Sequence, residues 1–136
     1  MRNLELVTAN FQRRIYLAAS IAAILAVALG AFGAHALSDL LIANDRIRTF
    51  ETANQYHFYH SFGLFVLGAL LNQGFSPSLL KAAAILMCVG ILLFSGSLYI
   101  LSISDKSWLG AIAPLGGGAF LVSWWLTFKA VLSKSN

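Results

Sequence analysis

From Ile15 to Leu37 the chain runs without Asp, Glu, Lys or Arg, a stretch long enough to cross the roughly 30 Å hydrocarbon core of a bilayer as one helix. Arg13-Arg14 precede it and the polar segment Ser38 to Glu51 follows it, the charged flanks that a spanning helix has. Ala34-His35-Ala36 resembles a small-x-small cleavage site, but the apolar stretch outruns the roughly 7–15 residues of a signal core, so retention as a helix is the better reading. Only 10% of the residues are charged and the mean hydropathy is +0.78, too apolar for a soluble domain of this size to bury. Three further apolar stretches give expected spans at about 15–37, 50–71, 79–101 and 108–132, within one membrane domain over 1–136. The expected fold is all-α, an integral membrane four-helix bundle.

Orientation follows from the cations. Arg2, Arg13, Arg14, Lys81, Lys129 and Lys134 lie on the side of the termini, against Arg46, Arg48 and Lys106 opposite, which predicts that both termini are cytoplasmic. Trp108 marks one interface, and Trp124, Trp125 and Phe128, with Phe11 and Tyr16, mark the other. The net charge of +4 is scattered rather than gathered into a basic, aromatic-lined face, so lipid rather than nucleic acid is the expected partner. Cys88 is alone within an apolar run, which excludes a disulfide framework or thiolate cluster in one chain and predicts a buried helix-packing residue.

Small residues at every fourth position of the first helix, Ala18, Ala22, Ala26, Gly30 and Ala34, predict a seam that another helix approaches closely. The neighbouring row from Ala19 through Ala23, Val27 and Ala31 ends at His35 and predicts that this histidine lies beside the seam. Ser61 and Gly68 on the second helix, and Pro114, Gly116 and Gly117 early in the fourth, are the other expected packing positions. Polar residues should meet at one depth in the outer half. His35 ends the first helix, Glu51, Asn54, Gln55, His57 and His60 begin the second, and Ser95, Ser97 and Tyr99 end the third.

Three explanations of that cluster compete. Side chains that hydrogen-bond between helices fix register and contribute about 0.5–2 kcal/mol each, the leading account. A recess open to the outer side could instead take a small ligand, lipid or proton. His57-x-x-His60, with His35 as a third ligand, could hold a metal or haem, but no carboxylate lies in the helix interiors and no His-Glu-x-x-His motif is present, so neither metal nor cofactor is expected. Ser95, Ser97 and the histidines do not form a nucleophile-elbow pattern, so catalytic residues are not assigned.

Four segments in order resemble one family: Leu29-Gly-Ala-Phe-Gly-Ala-His-Ala-Leu37, Phe50-Glu-Thr-Ala-Asn-Gln-Tyr-His-Phe-Tyr-His60, Phe94-Ser-Gly-Ser-Leu-Tyr99 and Ala113-Pro-Leu-Gly-Gly117. They are similar to the domain of unknown function 423 family, the YgdD-like small membrane proteins that include the eukaryotic transmembrane protein 256. The resemblance implies a multi-pass protein, in bacteria of the inner membrane, and supplies no catalytic residue or cofactor. The expected role is an accessory or structural component of a membrane assembly, with membrane-protein partners or further copies of itself, and the ligand recess is the alternative.

Overall fold

The computed structural model describes residues 2–133, and side chains from Leu6. Lys134 and the side chain of Arg2, both counted in the charge argument, lie outside what is described. Among the described residues every regular element is helical: α1 (Arg2–Ala34), α2 (Ser38–Ala43), α3 (Ile47–Leu70), α4 (Pro77–Gly90), a π-helical turn (Ile91–Gly96), α5 (Ser97–Ser104), a 3₁₀ turn (Ser107–Ala111) and α6 (Ala113–Leu132). The stretches Leu6–Ala34, Pro77–Ser104 and Ser107–Leu132 are long and apolar enough to cross a membrane. α3 has 24 residues, about 36 Å of rise, but its first half is too polar to count with them.

Boundaries move where the sequence reading followed charge rather than backbone. α1 starts at Arg2 and ends at Ala34 instead of running 15–37, because a helix about 50 Å long outlasts the hydrocarbon and carries Arg13 and Arg14 on its own turns. The polar segment 38–51 hides α2, whose Leu41 is buried under the start of α3. Pro114 opens α6 from its first turn, where its missing N–H costs nothing, and is exposed rather than packed.

α1 packs along α3, and α4 along α6, while α3 also meets the π turn and α5. The α1 seam differs from the every-fourth-residue row. A step of four residues advances about 40° around a helix, so the row from Ala18 turns through about 160° by Ala34. Ala34 is exposed, Ala18 and Ala22 are half-buried, with Ala22 packed on the core that holds Leu64 and Leu67, and Ala26 and Gly30 meet Asn54 of α3. The contact follows Ile15, Ala19, Ala26, Gly30 and Gly33, whose mixed steps stay on one face. The same drift carries the second row away, and His35 ends exposed.

Glycines set the other close approaches. Gly68 faces the Tyr16 ring, Gly63 faces Met87 and Trp124, and Gly90 faces Phe120. Ser61 is fully buried, and Ser123 on α6 donates to the Ala83 carbonyl on α4 at 2.7 Å. Ile24, Val27, Leu121 and Trp125 all face outward, an apolar coat suited to lipid.

At Gly116 a Cβ would collide with the backbone of Phe94, whereas at Gly118 it would meet open space, and Gly117 makes only ordinary contact. Gly116→Ala should therefore lower unfolding stability in detergent by about 1–3 kcal/mol. Gly118→Ala should be neutral or stabilising by up to about 1 kcal/mol through helix propensity. Thermal unfolding of the two variants side by side checks the contrast, and equal effects would contradict the α6 register.

Candidate functional site

Asn54 stands on the face of α3 that looks between α1 and α5. Its Nδ2 donates to the Ala26 carbonyl on α1 at 2.6 Å and to the Tyr99 hydroxyl on α5 at 3.0 Å. A backbone carbonyl only accepts, so the bond to Ala26 fixes which end of the amide is nitrogen. Gly30 leaves space for this side chain: a Cβ there would stand 3.0 Å from Asn54 Oδ1. Three helices meet on one amide.

The Tyr99 hydroxyl accepts from Asn54 and lies 3.4 Å from His57 Nδ1. In the tautomer whose Nδ1 accepts the phenol proton, the ring proton of His57 sits on Nε2, an atom that no hydrogen bond reaches among the described residues. Phe50 stacks edge-on to Tyr99 with centroids 4.9 Å apart and closes the network on its α2 side.

His57, Tyr99 and Ser95 line the floor of a crevice of about 480 Å³ between α1 and the continuous rod of α4, π turn and α5. Its walls are Ala18, Ile21, Ala22, Leu25 and Leu29 from α1 and Cys88, Ile91 and Leu92 opposite. Cys88, expected as a buried packing residue, is half-buried and faces this space. α1 and α4 scarcely touch, so the crevice opens sideways.

Ser95 is 1% exposed, and its hydroxyl has no partner. Six other Ser and Thr side chains fold back on the carbonyl four residues earlier: Ser20 on Tyr16, Thr52 on Arg48, Ser61 on His57, Ser102 on Leu98, Ser104 on Ile100 and Thr127 on Ser123. Ser97 uses the carbonyl of Phe94. Ser95 sits in the π turn, where the backbone pairs five residues apart and the usual acceptor is out of register. A buried hydroxyl without a partner costs about 1–3 kcal/mol.

The remaining expected residues go elsewhere. His60 donates from Nδ1 to the Tyr56 carbonyl at 2.7 Å in the tautomer that serves that bond, and its ring stacks on Phe120 with centroids 3.4 Å apart. It faces α6 while His57 faces α5. Glu51 and Gln55 are exposed in a polar cup of about 400 Å³ beneath α2, where Asn54 also appears. Ser97 is buried but spent on its own helix, and His35 lies with Ala31 and Phe32 on an outer surface. Among the described residues no three of His, Cys, Asp and Glu come together as a metal ion would need.

The family described as "Protein of unknown function (DUF423)" matches residues 29–117, from the upper part of α1 to the first turn of α6. The UPF0382 membrane protein YwdK of Bacillus subtilis is 50% identical over 105 residues, covering 77% of this chain and 85% of that protein. The chain belongs to this DUF423 family. A UPF0382 membrane protein of Staphylococcus epidermidis is 41% identical over 110 residues, covering 81% of this chain and 88% of its own. The UPF0382 inner membrane protein YgdD of Escherichia coli is 33% identical over 106 residues, covering 78% of this chain and 79% of its own. No solved structure matches. These relatives make the DUF423 chain a membrane protein of a family without an established activity, and its matched region holds Asn54, His57, Ser95 and Tyr99.

The sequence gives no sign of Cys88, Leu25 or Leu92 as crevice walls, since apolar residues on a spanning helix look alike whether they face lipid or a void. In this DUF423 chain Asn54→Leu should cost about 1–2 kcal/mol of stability and Tyr99→Phe less. The double variant should fall short of their sum, because one bond is shared. Unfolding in detergent measures this, and strict additivity would contradict the Asn54–Tyr99 bond.

Proposed function

We propose that the chain is a single-domain, four-span protein of the bacterial inner (plasma) membrane with both termini cytoplasmic, and that it binds a small lipid-soluble molecule in the crevice between α1 and the π turn. Support for α3 as the fourth span comes from where its polar groups go. Asn54, His57, Ser61 and His60 are turned to neighbouring helices, while Phe58, Tyr59, Phe62 and Val66 face out. The connections at 35–46, which holds only the six-residue α2, and at 71–76 are too short to hold a further domain. Arg13, Arg14, Lys81 and Lys129 at one end, against Arg46, Arg48 and Lys106 at the other, favour cytoplasmic termini, and the name of the E. coli relative favours the inner membrane.

The unpartnered hydroxyl of Ser95 on the crevice floor carries the binding reading. In hydrocarbon no water compensates a buried polar group, and Ser95 lies in a π turn, a feature that recurs at functional sites. The accessory role in an assembly draws less support. Much of the small-residue surface that a partner helix would use is filled from within, Ala26 and Gly30 by α3, Gly90 by Phe120 and Gly116 by Phe94, while Ala18 and Ala22 face the crevice.

A C-terminal fluorescent fusion should shine and a C-terminal alkaline phosphatase fusion should be inactive; the reverse pattern contradicts the orientation. Purified in mild detergent, the wild-type chain should yield a lipid-soluble compound on solvent extraction. The Ala22→Trp chain, with the crevice filled from α1, should yield little at unchanged helical content. Equal recovery from both contradicts the binding site.

A further inference from the structure

The crevice does not end at Ala18. It shares Ala18, Leu64, Cys88 and Leu92 with a second apolar groove, of about 270 Å³, that follows α1 and α4 to Phe11 and Arg14. From Leu29 to Arg14 the two cover about 22 Å of α1, most of the thickness of a hydrocarbon core. Such a shape fits a chain better than a compact molecule. Polar side chains are confined to two places, His57, Ser95 and Tyr99 at one end and the exposed Arg14 at the other.

The end formed by His57 and Ser95 offers donors. The Tyr99 hydroxyl is engaged by Asn54 and His57, which leaves the Ser95 hydroxyl and, in the Nε2–H tautomer, the outer nitrogen of His57 for a ligand. Two donors call for an accepting oxygen. These residues lie about 12–15 Å along the helices from the end that carries α2, a depth at which a charged head group is costly and an uncharged one is not. The Ser95 hydroxyl is itself closed off from water-sized contact, so a bond to a ligand requires Ser95 to take another χ1 rotamer.

Resting on the crevice-binding reading, we infer that crevice and groove together hold one uncharged long-chain lipid, its carbonyl-type oxygen accepting from Ser95 and His57 and its tail lying between α1 and α4 toward Arg14. A quinone with an apolar tail and a long-chain ketone or ester share this chemistry.

The test uses the full chain in mild detergent, titrated with a decyl benzoquinone, a long-chain methyl ketone, an alkane of the same length as the ketone, and palmitate, with binding read by native mass spectrometry. Ketone and quinone should bind roughly tenfold more tightly than the alkane, and Ser95→Ala and His57→Phe should each remove about three- to tenfold of that preference. Whichever of quinone and ketone binds more tightly identifies the head group, and either order supports the inference. Without ligand, Ser95→Ala should melt at or above the wild-type temperature because it deletes an unpaired hydroxyl, so it decides the matter if His57→Phe does not fold.

Equal affinity for ketone and alkane overturns the head-group inference and leaves the crevice reading standing. Binding of none of the probes overturns both. Preference for palmitate that depends on Arg14→Gln and not on Ser95→Ala puts an anionic head at the opposite end and overturns the inference.

Discussion

The side-chain amide of Asn54 ties α1, α3 and α5 together, and much of the architecture depends on it. In hydrocarbon an amide has no water to exchange with, so its bonds to the Ala26 carbonyl and the Tyr99 hydroxyl hold helix spacing as well as adding stability. Gly30 brings α1 close enough for the first bond, and Gln12 donating to the Gly68 carbonyl at 2.7 Å repeats the tie at the other end of α3. α4 is meanwhile committed to α6 through Gly90 and Phe120 and through Ser123 and Ala83. With α1 held by α3 and α4 held by α6, little draws α1 toward α4. The crevice is the space these two commitments leave.

The π turn sets what faces that space. Where Gly116 of α6 admits the Phe94 backbone, the rod takes up an extra residue, and the hydroxyl that would have folded back on its own helix is left without an acceptor. At the α2 end, Asn44 donates to the carbonyls of Ser102 and Ile103, and Arg46 pairs with Asp105 at 3.0 Å, so the last turn of α5 is anchored from the loop before α3. An exposed pair of this kind contributes about 0–1 kcal/mol, and its role is positional. Tyr99 is thereby held from both ends of its helix.

Much of the helical architecture was legible in the sequence because apolar run length and flanking charge are strong signals in a membrane chain. The polar residues of α3 and Tyr99 were legible as an inward face, and Asn54, His57 and Tyr99 do meet. His35 and Ala34 were misplaced by a row of fourth residues, which drifts around a helix by nearly half a turn over that distance. His60 was grouped with His57, but a separation of three residues is enough to send one ring to Phe120 and the other to Tyr99. The π turn left no mark in the sequence: Ser95-Gly96-Ser97 reads as a small-residue stretch whichever way the backbone pairs. The crevice was equally hidden, since its walls are ordinary aliphatic residues and its existence depends on which helices commit to which.

The most direct measurement is a high-resolution structure of the full chain in a lipid nanodisc, resolving the space between α1 and α4. An elongated density is expected along Ala18, Leu64 and Leu92, ending within hydrogen-bonding distance of the Ser95 hydroxyl and His57 Nε2. A closed α1–α4 contact, or a Ser95 hydroxyl bonded to a backbone carbonyl of its own rod with no density in the crevice, would contradict it.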